Sequence, residues 1–167
     1  GEGGVRRKCV CLGLAALLLG LLALLTSWEC HGWYLVLRNA DTGQYYGRYA
    51  MDEGDWFSVS FVHSVNKSPV TDCYQIRDRA IYVEKTIYYD FGAGVQTQLE
   101  GEETLSYGED GSMIVSGFDT PMPNLQYIVG TVSDHILTVN GEEISLRDLC
   151  GRNSLVRFVY EAPWPRR

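Results

Sequence analysis

Residues that carry chemistry in small proteins are scarce in this sequence of 167 residues. It has three His and five Cys, with no Cys-x-x-Cys pair and no Cys/His spacing suited to zinc. A Gly-x-Ser-x-Gly turn is missing, so no hydrolase nucleophile of that type is offered. The short glycine run Gly92-Ala93-Gly94 is followed by neither Lys-Ser nor Lys-Thr, which disfavours a phosphate loop. Basic residues number 14 against 21 acidic ones, a net charge of -7, so no basic surface exists to displace the counterions of a nucleic acid. The acidic pairs lack the alternating ligand pattern of a calcium loop. No internal repeat occurs. What is abundant points to strands and tight turns: eleven Tyr, 18 Gly and 12% aromatic residues.

The one long apolar run lies near the start. Arg6-Arg7-Lys8 precede an uncharged stretch from Cys9 to Trp28, rich in Leu and Ala. As a helix, 20 residues would span about 30 Å, the thickness of a bilayer's hydrocarbon core. The positive cluster predicts a single-pass anchor over 9–28 in the cytoplasmic membrane, with residues 1–8 inside and the rest outside. Leu25-Thr26-Ser27-Trp28 is a poor cleavage site, and Trp28-Glu29 before Cys30 does not fit a lipobox, so a retained signal anchor is favoured over a cleaved one. The bilayer is then the first partner.

Residues 29–161 read as one all-β domain. Turn signals such as Asp41-Thr42-Gly43, Asp52-Glu53-Gly54, Asp110-Gly111 and Asn140-Gly141 separate runs rich in Tyr, Val, Ile and Phe. About nine short strands are predicted, over 33–38, 44–51, 56–63, 70–77, 81–91, 112–118, 135–140, 142–146 and 155–161. Their spacing suggests an antiparallel β-sandwich or small barrel. Residues 119–126 read as a loop, 146–151 as a single helical turn, and 162–167 as a flexible tail. Aligning the apolar faces of 56–63 and 70–77 pairs Phe61 with Tyr74 and Val59 with Ile76. That register sets His63 opposite Asp72.

The His63–Asp72 pair has two readings: a hydrogen bond closing the rim of the core, or a pH-sensitive or ligand-facing site. Ser64 follows His63 on the chain and so points to the other face, which argues against a Ser-His-Asp triad. Gly92-Ala93-Gly94 reads as a turn or bulge, or as a place where a ligand or backbone comes close. A Cys73–Cys150 disulfide and unpaired thiols fit the sequence equally well.

His63-Ser64-Val65, Ser68-Pro69-Val70, Asp72 and Tyr74, followed by a strand ending in Gly92-Ala93-Gly94, resemble the signature of the bacterial family known as domain of unknown function 1850. The stretches from Asn140 to Leu146 and from Leu155 to Tyr160 are also similar, so the resemblance runs from about Trp33 to Tyr160. Where that family usually carries Glu, this chain has Asp72. The resemblance implies a small exported or membrane-anchored protein, without enzymatic activity or cofactor, accessory to a TAXI-type TRAP solute uptake system. A transporter membrane subunit or solute-binding protein is the implied partner. His63, Ser64, Pro69, Asp72, Tyr74 and Gly92–Gly94 are the candidate contact residues. The competing expectation is an extracytoplasmic sensor of a small ligand or cation, and a third is a hydrolase using His63 as base.

Overall fold

Turn chemistry sets the strand lengths. The computed structural model describes residues 2–29, 32–65, 67–89 and 101–163. The chain divides into two units, one up to residue 32 and one from Trp33 onward.

The first unit is a single helix, α1 (Glu2–Glu29). Its described side chains are Gly4 and residues 10–24, and all of them are exposed. Among the described residues no helix is long and apolar enough to cross a membrane. Residues 10–24 extend only about 22 Å as a helix. The predicted span of 9–28 runs past them at both ends.

The second unit holds eleven strands and one short helix among the described residues. These are β1 (Tyr34–Asn39), β2 (Tyr45–Ala50), β3 (Trp56–Val62), β4 (Pro69–Arg77), β5 (Ala80–Tyr88), β6 (Thr104–Tyr107), β7 (Met113–Pro121), β8 (Gln126–Val129), β9 (Ile136–Val139), β10 (Glu142–Ser145), α2 (Leu146–Cys150) and β11 (Ser154–Glu161). They form two antiparallel sheets, one ordered β2-β1-β11-β8 and the other β10-β9-β3-β4-β5-β7-β6. All nine predicted strands are present. Two were not foreseen: β6, and β8 at the end of the segment expected to be a loop. β7 also extends into that segment, as far as Pro121.

Alternation places one face of each sheet inward. Leu35 and Leu37 of β1 and Val156 and Phe158 of β11 meet Phe57 and Val59 of β3 and Tyr74 and Ile76 of β4 in one shared core. The Phe57 ring stacks on Tyr74 at 5.0 Å within its sheet and on Phe158 at 6.1 Å across to the other. Asn140 and Gly141 join β9 to β10 with φ of 52° and 77°, the positive values that a two-residue type I′ hairpin requires. Ser145 caps α2 by accepting from Asp148 N at 3.1 Å. Leu146 and Cys150 then sink into the core.

The predicted β3–β4 register is corrected. The β3–β4 hairpin pairs Phe57 with Tyr74, Val59 with Asp72 and Phe61 with Val70, a register four residues away from the predicted one. His63 is therefore not opposite Asp72. Its N–H donates to Ser68 O at 2.8 Å, closing a tighter loop. Of the two readings that the sequence left open for Cys73 and Cys150, the structure has unpaired thiols, both buried. Cys150 belongs to the shared core, whereas Cys73 alternates with the core residues Tyr74 and Ile76 and so faces the other side of its sheet. On the first sheet, Ala162 and Pro163 help to line a groove. Residues 164–167 lie outside the described residues, as do Gly92, Ala93 and Gly94.

Candidate functional site

The signature residues separate into two places. His63, Ser64 and Pro69 lie in or beside the β3–β4 loop. There Lys67 N donates to His63 O at 3.0 Å, and Val65 N donates to His63 Nδ1 at 3.2 Å. Ser64 and Pro69 are exposed, and Val65 is 68% exposed. The loop thus presents its backbone turn and an apolar tip, while the His63 ring is occupied in holding the turn.

Asp72 and Tyr74 instead face inward from β4. The same β4 alternation that buries Tyr74 and Ile76 brings the Asp72 carboxylate beneath the other sheet. Thr86 is its direct partner on β5 and donates from Oγ1 to Asp72 Oδ1 at 2.9 Å. From β8, at the edge of the other sheet, the Tyr127 hydroxyl donates to Asp72 Oδ2 at 2.7 Å. Since Tyr127 has one hydroxyl hydrogen, its oxygen is the acceptor in the very short contact with the Tyr74 hydroxyl. A relay Tyr74→Tyr127→Asp72←Thr86 results, and it ties the two sheets together.

Aromatic rings enclose this relay. His135 stacks on Phe61 at 5.2 Å and lies 5.7 Å from the Tyr127 ring. Gly130 N donates to His135 Nδ1 at 3.3 Å, so a neutral ring carries its proton on Nε2. Burial lowers the affinity of His135 for a second proton, against the opposing pull of Asp134 and, more weakly, Asp72. Burial first, then the Asp72 charge, pushes the Tyr127 phenol well above its ordinary value. The Tyr74 phenol is raised in the same way. Both phenols stay protonated at neutral pH and act as hydrogen-bond donors, not as bases.

Sequence reasoning found Asp72 and Tyr74 but assigned them the wrong partner. It missed Tyr127, Thr86 and His135. Leu125, Tyr127 and Val129 alternate with Gln126 and Ile128, a strand signal obscured by Pro121 and Pro123 just before it. Among the described residues no group of three or more His, Cys, Asp or Glu is placed to hold a metal ion. Asp72 meets two hydroxyl donors of the protein, which suits a fixed polar tie in the core.

No curated protein and no solved structure matches the chain. A family model described as "Domain of unknown function (DUF1850)" matches residues 57–146, more than half of the chain. The matched stretch contains the β3–β4 loop and every member of the Asp72 relay. The chain therefore belongs to the DUF1850 family.

Proposed function

We propose that this protein is a non-enzymatic interaction module held at the outer face of the cytoplasmic membrane by its N-terminal helix. The observation that carries the reading is the surface of α1. Leu12, Leu14, Leu17, Leu18, Leu19, Leu21, Leu22 and Leu24 are each more than half exposed and cover about two thirds of the helix circumference, and the small uncharged residues Gly13, Ala16, Gly20 and Ala23 fill the rest. A helix that is apolar all round calls for a lipid environment or a protein interior. In the sequence the uncharged run of 9–28 has bilayer length, and Arg6, Arg7 and Lys8 favour an inside N-terminus. The two facing sheets form a β-sandwich outside, steadied by the Asp72 relay. The exposed β3–β4 loop, with Val65 at its tip, is the contact surface. The family resemblance points to a TAXI-type TRAP membrane subunit or solute-binding protein as the partner.

The test uses the tagged full-length chain in native membranes. We expect it to resist alkaline extraction, to be digested by protease added outside, and to copurify with a transporter component. Val65→Asp should reduce that recovery. Release by alkali, or protection of the β domain from outside protease, would overturn the anchor. Undiminished recovery with Val65→Asp would remove the loop as the contact.

A further inference from the structure

The outer face of the four-stranded sheet carries a groove of about 300 Å³. Its floor is Val36, which is 3% exposed. On β1, Tyr34, Val36 and Arg38 alternate with the core residues Leu35 and Leu37 and so share the outward face. Arg48 on β2 lies opposite Val36, Tyr45 lies opposite Arg38, and Glu161 on β11 lies opposite Tyr34. All of these line the groove.

The two guanidinium groups differ in their commitments. Arg38 is bound to Glu161 at 2.9 Å. Arg48 lies over the Tyr34 ring at 4.4 Å and, among the described residues, forms no ion pair. A guanidinium resting on a ring keeps its in-plane N–H fork free, and that fork matches a carboxylate. Two cations against one carboxylate make the groove locally positive on a chain whose net charge is -7. The local charge therefore attracts an anion to this spot despite the net charge of the chain. The volume is at the lower end for small-molecule sites, roughly the share of ten waters. The half-exposed Tyr45 ring and the buried Val36 offer apolar contact beside the charge.

We infer that this groove binds a small organic carboxylate, with the acid group on Arg48 and a flat apolar body over Val36 and against Tyr45. Every residue involved lies outside the family-matched stretch of 57–146, and the inference does not depend on the anchor or on the partner.

The experiment titrates the isotope-labelled full-length chain in detergent micelles with benzoate. Benzamide serves as the uncharged twin and inorganic phosphate as an anion without an apolar body. Benzoate should give saturable shifts at the Val36 and Arg48 amides, benzamide none, and phosphate binding about tenfold weaker or less. Arg48→Gln should weaken benzoate about ten- to hundredfold, with partial recovery in Arg48→Lys. Arg48 is exposed, so the same spectra will report an intact fold. The inference is overturned by no saturation up to roughly 10 mM benzoate, by equal binding of benzamide, or by unchanged affinity in Arg48→Gln. Phosphate binding as tight as benzoate would overturn the apolar-body assignment.

Discussion

Tyr127 is the residue on which the polar part of the core depends. Its hydroxyl donates to Asp72 and receives the Tyr74 hydroxyl, so one atom serves two bonds between sheets. Tyr127→Phe removes both. It leaves Asp72 Oδ2 without this donor and the Tyr74 hydroxyl without this acceptor, in surroundings where water replaces them poorly. We expect a loss of about 1–3 kcal/mol, read as a lower urea midpoint with an unchanged slope. Tyr74→Phe leaves the Tyr127–Asp72 bond in place and should lose only about 0.5–1.5 kcal/mol. If the two losses came in the opposite order, Tyr127 would not be the hub. Composition and periodicity placed Asp72 and Tyr74 on one inward face, but nothing local told which strand of the opposite sheet would lie above them. That partner is fixed only when the sheets pack.

Among the elements, strand existence was legible and register was not. Nine hydrophobic runs bounded by turn residues became nine strands, because period-two alternation and turn chemistry are local properties. The β3–β4 register slipped by four residues because a shift by an even number preserves the inward set. Phe57, Val59 and Phe61 stay on the core face under either pairing. The deciding feature was the loop. His63 and Ser68 close on each other, with Lys67 at φ 57°, and this confines the turn to residues 64–67. Two glycines test how far such local geometry governs the elements. Gly141 has φ 77° and open space where a Cβ would stand, so Gly141→Ala meets only backbone strain, about 1–2 kcal/mol. Gly117 lies in β7 at φ 85°, where β7 departs from regular pairing with β5 between Lys85 and Val83. A Cβ there would come within 2.8 Å of the Glu102 carbonyl oxygen. Backbone has to move, so Gly117→Ala should lose about 2–4 kcal/mol. Thermal or urea unfolding of both variants checks the ranking, and equal losses would show that the β6–β7 approach yields freely.

At the scale of the molecule, two sheets of unequal size share one core, and their placement decides the fate of the cysteines. Spacing along the sequence left a Cys73–Cys150 bridge open, because sequence separation says nothing about which side of a sheet each thiol occupies. The fold puts Cys150 inside the core and Cys73 on the opposite face of β4. The sheet itself stands in the way of a bond that needs the two Cα atoms within about 7 Å. Burial also pushes the Cys150 thiol up to about 11 and raises Cys73, so little thiolate forms at neutral pH to start an exchange. A bridge over this span of chain would add about 4–5 kcal/mol in the chain-entropy model. We therefore expect the urea midpoint of the protein, purified without reductant, to be unchanged when reductant is added. Both thiols should label slowly in the native state and promptly once the chain is unfolded. A midpoint that falls on reduction by the equivalent of several kcal/mol would mean that the two thiols are joined. Cys73 would then have to lie on the core side of its strand, and Asp72 beside it, by strict alternation, on the outer side. One reductant titration thus tests the inward placement of the whole Asp72 relay as well as the state of the thiols.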